Sequence, residues 1–209
     1  MTRFEIIDGE VDTAVVAEYE ATRRDMVRRG LAAGGAVVLA ATSIPLLLGV
    51  RNAFAQAEGD AAILESAIGI EQIAVFAYER AAASDLLDRE TKDVAQRFGA
   101  HEQEHADGLI AALKGLGGEA PAKPTSLADL DAVQSGFGDA RSQADVANFA
   151  IELEMAGIAA YYDAQLKLKD AKLLQTGASI MANEGQHLVV LRQAVKKPPV
   201  PNAFETGKG

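Results

Sequence analysis

The chain has 209 residues, 49% of them hydrophobic, enough for one well-packed domain plus an appendage. Its net charge of −10 argues against nucleic acid as a partner, and the absence of cysteine excludes disulfides, cysteine-type structural zinc and iron–sulfur centres. Any metal must therefore be held by carboxylate, imidazole or water, and an alanine-rich chain with 5% aromatic residues favours helix over sheet.

Residues 1–55 read as an address. Thr22-Arg23-Arg24-Asp25-Met26-Val27-Arg28 precedes an uncharged stretch from Gly30 to Val50, and Ala53-Phe54-Ala55 follows it. A basic region, an apolar region and a small-x-small site make a signal peptide. The paired arginines and the mild, Gly/Ala-rich apolar stretch resemble a twin-arginine export signal, with Met26 and Val27 in place of the more usual Phe and Leu. The resemblance implies the twin-arginine export machinery as a partner, a periplasmic or cell-envelope location, and folding with metal before export. Cleavage after Ala55 is the preferred reading. Its rival is an uncleaved anchor, with residues 30–50 in contact with the membrane, since about 20 uncharged residues just span a bilayer.

Four helices follow. From Glu58 to about Ala83 apolar residues recur at helical spacing, with Leu64, Ile68, Val75 and Tyr78 prominent. Ser84-Asp85 is the expected cap of a second helix from about Leu87 to Lys114, whose core stripe reads Ala95, Phe98, Glu102, His105, Leu109, Ala112 and Leu116. Gly115-Leu116-Gly117-Gly118 stops it, and Pro121 and Pro124 keep it stopped. Residues 119 to about 141 form a long connection with one short helix, Ser126 to Gln134. Ser142 then caps a third helix that runs to about Lys169, with Ala147, Ile151, Glu154, Ile158 and Tyr161 on one side. The fourth spans about Ala171 to Val195, with Leu173, Gly177, Ile180, Glu184, His187, Leu191 and Ala194 in its stripe. Pro198, Pro199 and Pro201 forbid more helix, leaving residues 198–209 as a Pro-rich extended tail. Short, long and short connections predict an all-α four-helix bundle over 56–197, built as two antiparallel hairpins joined by a crossover.

One pattern occurs twice in this bundle. Glu71 is followed by Tyr78, Glu102 and His105; Glu154 is followed by Tyr161, Glu184 and His187. Each Tyr stands seven residues after its Glu, and each late pair reads Glu-x-x-His. The midpoint of Glu71 and Glu102 is 86.5, and that of Glu154 and Glu184 is 169, so each hairpin brings its two glutamates level at its own turn.

Positions i and i+3 of a helix lie about 60° apart around the axis and about 4.5 Å apart along it, so a Glu and a His so spaced can meet one ion. Carboxylates in a core stripe are costly unless a cation compensates them. Two divalent cations would cancel four such charges and take two neutral imidazoles as nitrogen ligands. This is the arrangement of dimetal carboxylate bundles, with one Glu from each of two helices and Glu-x-x-His from each of the others. Oxygen-rich donors with one imidazole per metal and no thiolate suit iron or manganese. The expected ligands are Glu71, Glu102, His105, Glu154, Glu184 and His187 for two Fe or Mn ions. Glu152 is the rival to Glu154, but its distance from Tyr161 breaks the repeat.

Tyr78 and Tyr161 face inward, where most tyrosines pack with one satisfied hydroxyl; a bond to a ligand carboxylate is the functional alternative. For His101, one turn before His105, a solvated rim position is preferred over a contact with the centre. Glu65, Glu79, Glu104 and Glu152 lie off the stripe and read as surface charge.

Over residues 58 to 196 the chain resembles the ferritin-like superfamily, and more narrowly bacterial exported ferritin-like domain proteins related to plant desiccation-related proteins. Ala100-His101-Glu102-Gln103-Glu104-His105, Ala112-Leu113-Lys114-Gly115-Leu116-Gly117-Gly118 and Leu153-Glu154-Met155-Ala156-Gly157-Ile158-Ala159-Ala160-Tyr161 carry the likeness. It implies that Glu102 and Glu184 bridge the ions, that Glu71 and Glu154 are terminal ligands, and that His105 and His187 take one metal each. It also implies dioxygen or peroxide as co-reactants. Three functions fit: a redox dimetal protein that oxidises Fe(II) or removes peroxide, an iron-storage oligomer, and a non-catalytic envelope stress or structural protein with the metal as a core staple.

Overall fold

A computed structural model describes residues 57–127 and 137–208. The proposed signal segment, with its cleavage site, and most of the short helix expected over 126–134 lie outside the described residues. Four helices, and no strand among the described residues, build the fold: α1 Asp60–Ala83, α2 Arg89–Gly115, α3 Gln143–Ala164 and α4 Ala171–Ala194. The all-α four-helix bundle expected from the periodicity is the fold found.

Local chemistry sets most of the helix ends. The Ser142 hydroxyl accepts from Asp145 N–H, and the Asp145 carboxylate accepts in return from the Ser142 hydroxyl and Arg141 N–H. This reciprocal box starts α3 where expected. Asp170 caps α4 by accepting from Lys172 N–H and Leu173 N–H. Helix α2 begins later than its stripe suggested: Asp88, not Ser84-Asp85, is the cap and accepts from Thr91 N–H, while Ser84 closes α1. At the other end of α2, Gly117 takes φ 80°, and Gly118 N–H donates to Leu113 O, a left-handed stop that only glycine enters without strain.

One boundary and one stretch of core stripe escaped the periodicity. No Gly or Pro lies between Ala164 and Lys169, yet α3 stops at Ala164. The Asp60 carboxylate, at the start of α1, accepts from Lys169 N–H and Asp170 N–H and so holds the turn open. The α2 stripe also drifts at its C-terminal end. Leu113 is fully buried, whereas Leu116 is about half exposed, because the stripe continues through Ala106, Leu109 and Leu113.

Helix α1 packs along α2 and α3 along α4, with α1 against α3 and α2 against α4 across the hairpins. The Asp60 contact with the α3–α4 turn, and a bond from Asp88 N–H to Gln143 Oε1 at the other end, show that α1 and α3 run antiparallel. Helices α1 and α3 are buried over most of their circumference, whereas α2 and α4 bury one stripe. Side chains such as Ile68, Leu113 and Ile158, which lose essentially all contact with water, each stabilise the fold by about 1.5–3 kcal/mol. Gln72, also buried, donates to Pro121 O and ties the start of the crossover to α1.

The Pro-rich tail forms no helix, but it is not simply extended. It doubles back onto the second hairpin: Glu205 pairs with the buried Arg192 at 2.9 Å, and Lys208 with Asp163. Gly207, at φ 66°, lies so close to α3 that a Cβ there would stand 2.1 Å from Met155 O.

Candidate metal centre

All six glutamates and histidines of the duplicated pattern meet at mid-bundle, one Glu each from α1 and α3 and one Glu-x-x-His each from α2 and α4. They form two groups, Glu71–Glu102–His105–Glu184 and Glu102–Glu154–Glu184–His187, and in each group the candidate donor atoms lie within 4.8 Å of one another. Five of the six are buried and His105 is partly so. Glu65, Glu79 and Glu104 are exposed and Glu152 half-buried, and none of them joins either group.

Glu102 and Glu184 belong to both groups, and each divides its two oxygens between them. His105 Nδ1 lies 3.2 Å from Glu102 Oε2, 3.2 Å from Glu184 Oε1 and 3.4 Å from Glu71 Oε2. His187 Nδ1 lies 3.1 Å from Glu102 Oε1, 3.4 Å from Glu154 Oε1 and 3.6 Å from Glu184 Oε2. Three carboxylate oxygens thus converge on one nitrogen, twice over. An imidazole nitrogen has at most one proton to share, so hydrogen bonding alone does not satisfy such a set. Glu102 Oε1 and His187 Nδ1, both buried, make no aligned hydrogen bond at all. Buried polar atoms without partners are costly. A cation among these oxygens and nitrogens would satisfy them together, so the residues present fit a metal ion.

The electrostatics follow from this crowding. Burial pushes the Glu71 and Glu154 carboxyls well above the ordinary range, and the Glu184 charge adds to both. Burial and the Glu154 charge also push Glu102 up, but the polar hydrogens of His105, His187 and Glu71 close to its carboxylate outweigh them and hold it below its ordinary value. Burial opposes a charge on either ligand-like imidazole. The surrounding carboxylates win, raising His105 to about 12 and His187 to about 11. Protons therefore stand where a cation would stand, and binding one would release them.

The tyrosines are more than packing. Tyr78 of α1 donates its hydroxyl to Glu154 Oε1 of α3, and Tyr161 of α3 donates to Glu71 Oε1 of α1. The bonds cross between the hairpins, which the antiparallel pairing of α1 and α3 allows. Burial and the partner carboxylates push both phenols well above their ordinary value, so they stay protonated and act as donors. Gly99 lets α2 approach α1 here; a Cβ on it would stand 3.1 Å from Tyr78 Cβ.

His101 corrects the sequence reading. It is not a rim residue: its Nδ1 lies 2.9 Å from Nε2 of His187. Burial, then the neighbouring His187, hold it below its ordinary value. Its place one turn before His105 was the signal in the sequence, and that spacing says nothing about α4. Phe98 lies flat on His187, with ring centroids 3.9 Å apart and planes 20° from parallel.

Two cavities flank the centre. One of about 420 Å³, lined by Glu104, His105, Gln175, Thr176 and Ser179, opens beside His105. The other, about 380 Å³ and largely apolar, reaches Tyr78 and Phe98 from the end of the bundle that carries the α1–α2 turn.

Residues 59–197 match the family model described as a ferritin-like domain. The chain belongs to that family. Comparison with curated proteins and with solved structures gives no match. The ferritin-like match spans all four helices and therefore all six residues of the centre.

Proposed function

We propose that this ferritin-like protein is an exported dimetal carboxylate protein, holding two iron or manganese ions, that oxidises Fe(II) or reduces peroxide or dioxygen in stress protection. The observation that carries the reading is the division of Glu102 and Glu184 between two carboxylate–imidazole groups. On this reading Glu102 and Glu184 would be shared by the two ions, Glu71 and Glu154 would each hold one of them, and His105 and His187 would each serve one ion. Bound there, the ions would supply a redox couple next to positions open to an oxidant.

The chain's own residues do the rest. Tyr161 holds Glu71 Oε1 and leaves Oε2 to face His105, whereas Tyr78 holds Glu154 by Oε1, the same oxygen that faces His187. The burial of α1 and α3 over most of their circumference excludes bulk water from that side. The cavity beside His105 is the route by which a small polar reactant would arrive, with Glu104 at its wall attractive to a cation. Export rests on the arginine pair and apolar stretch of the N-terminal segment.

A second reading has its own support. The centre draws ligands from all four helices, so metal binding would also be folding energy and a structural staple would look the same. Metal content of the full-length protein purified without chelator, beside a Glu102→Ala/Glu184→Ala variant, tests the centre. The expected result is ~two iron or manganese per chain in the parent and none in the variant. A stably folded parent that stays metal-free after anaerobic Fe(II) loading sinks the reading. Loaded protein without oxidase or peroxidase turnover favours the staple.

A further inference from the structure

His101 and His187 come from helices α2 and α4 and meet edge to edge. Their planes are 12° from parallel and their centroids 5.2 Å apart. That separation is the 2.9 Å between Nδ1 of His101 and Nε2 of His187 plus one ring radius on each side. The rings are therefore nearly coplanar and joined head-on, with the lone pair of one nitrogen aimed at the other ring's N–H. This is hydrogen-bond geometry, not face-to-face stacking. Phe98 supplies the stacking, flat against His187.

The consequence lies on the far side of the His187 ring. An imidazole that keeps its Nε2 proton in a hydrogen bond has only Nδ1 to offer a cation once the second proton is displaced, and here Nδ1 faces Glu102, Glu154 and Glu184. His105 has no equivalent: no partner for its Nε2 is seen among the described residues, and its ring borders the open cavity. We propose that His101 is the positioning residue of one half of the centre, holding the His187 ring in plane, with Nδ1 presented to a metal ion. The proposal rests on the metal reading above and adds to it an acceptor specific to the His187 half.

Co(II), read by visible absorption, is the probe, added to the full-length protein and to His101→Phe, His101→Gln and His101→Ala. Phe keeps a flat ring without an acceptor; Gln keeps an acceptor oxygen. His101→Phe and His101→Ala should weaken one of two Co(II) affinities by about ten- to hundredfold and leave the other unchanged. His101→Gln should recover most of the loss. In a His187→Ala background, His101→Phe should change nothing further.

A metal-free readout accompanies this. The Nε2–H of His187 should give an exchange-protected proton–nitrogen resonance in the parent and in His101→Gln, and lose it in His101→Phe. Parent-like Co(II) binding by His101→Phe, or an equal loss persisting in the His187→Ala background, overturns the positioning role while leaving the metal centre intact. A parent that binds no Co(II) overturns both, and the resonance then reports only a structural hydrogen bond.

Discussion

His105 and His187 hold matching places in a duplicated pattern, yet their surroundings differ. The His105 side chain is 13% exposed and borders a cavity, whereas that of His187 is 2% exposed, covered by Phe98 and joined to His101. The second hairpin also carries the folded-back tail, through Arg192, Asp163 and the α3 backbone at Met155. The same candidate donors, carboxylates around one imidazole, have thus been set in one open and one closed half. The difference teaches that ligand identity sets what a site can bind, while packing around each ligand sets what can reach it.

The largest test of that contrast replaces each histidine in turn. His187→Ala opens a gap behind Phe98 and strips a charge partner from three buried carboxylates, and should cost about 3 kcal/mol in the metal-free protein. His105→Ala should cost less, because solvent reaches its place. Chemical denaturation of both variants without metal checks the order, and equal losses would erase the distinction between the halves.

A pH series sharpens it next. Metal-free, His105 and His187 have raised pKa values, so their stabilising contribution is full below about 6.5 and fades as pH climbs toward 11 and 12. Glu71 and Glu154, raised by burial, act in the same direction: the unfolded chain ionises them first, and stability falls as pH rises. Glu102, held low, runs the other way and loses its contribution only on acidification. Metal binding needs these groups deprotonated, so Mn(II) should raise the melting temperature more at pH 8.5 than at pH 5.5. A gap that narrows with pH would contradict the proton–metal exchange.

Smaller effects belong to the tyrosines. Tyr78→Phe and Tyr161→Phe each remove one donor from a buried carboxylate and should each cost about 1–3 kcal/mol. Because the two bonds are reciprocal, the losses should be similar in thermal unfolding; a clear inequality would extend the asymmetry of the halves to their terminal carboxylates. The smallest change is expected from Gly207→Ala, which drives a Cβ into Met155 O at a positive φ. It should detach the tail at about 1 kcal/mol, read as faster proteolysis after Lys196 with the bundle intact.

Much of this is legible in the sequence alone. Four helices showed in the periodicity, Ser142 and the Gly117 region in cap chemistry, and the level of Glu71 with Glu102 and Glu154 with Glu184 in equal distances from a turn. Spacing within a helix, or across a short turn, fixes both face and height, so all six residues of the centre could be picked out along the chain. The misses share the opposite character. Tyr78 finds Glu154, Tyr161 finds Glu71, His101 finds His187 and Asp60 finds the α3–α4 turn, each across hairpins joined by a long crossover. Local periodicity carries no information about the rotation of one hairpin against the other. That rotation is decided by how the side chains of four helices interdigitate at close-packed density. By itself, then, the sequence determined which residues face the core and at what level. Only tertiary packing decided which carboxylate each tyrosine holds, which histidine gains a partner, and which half of the centre lies open.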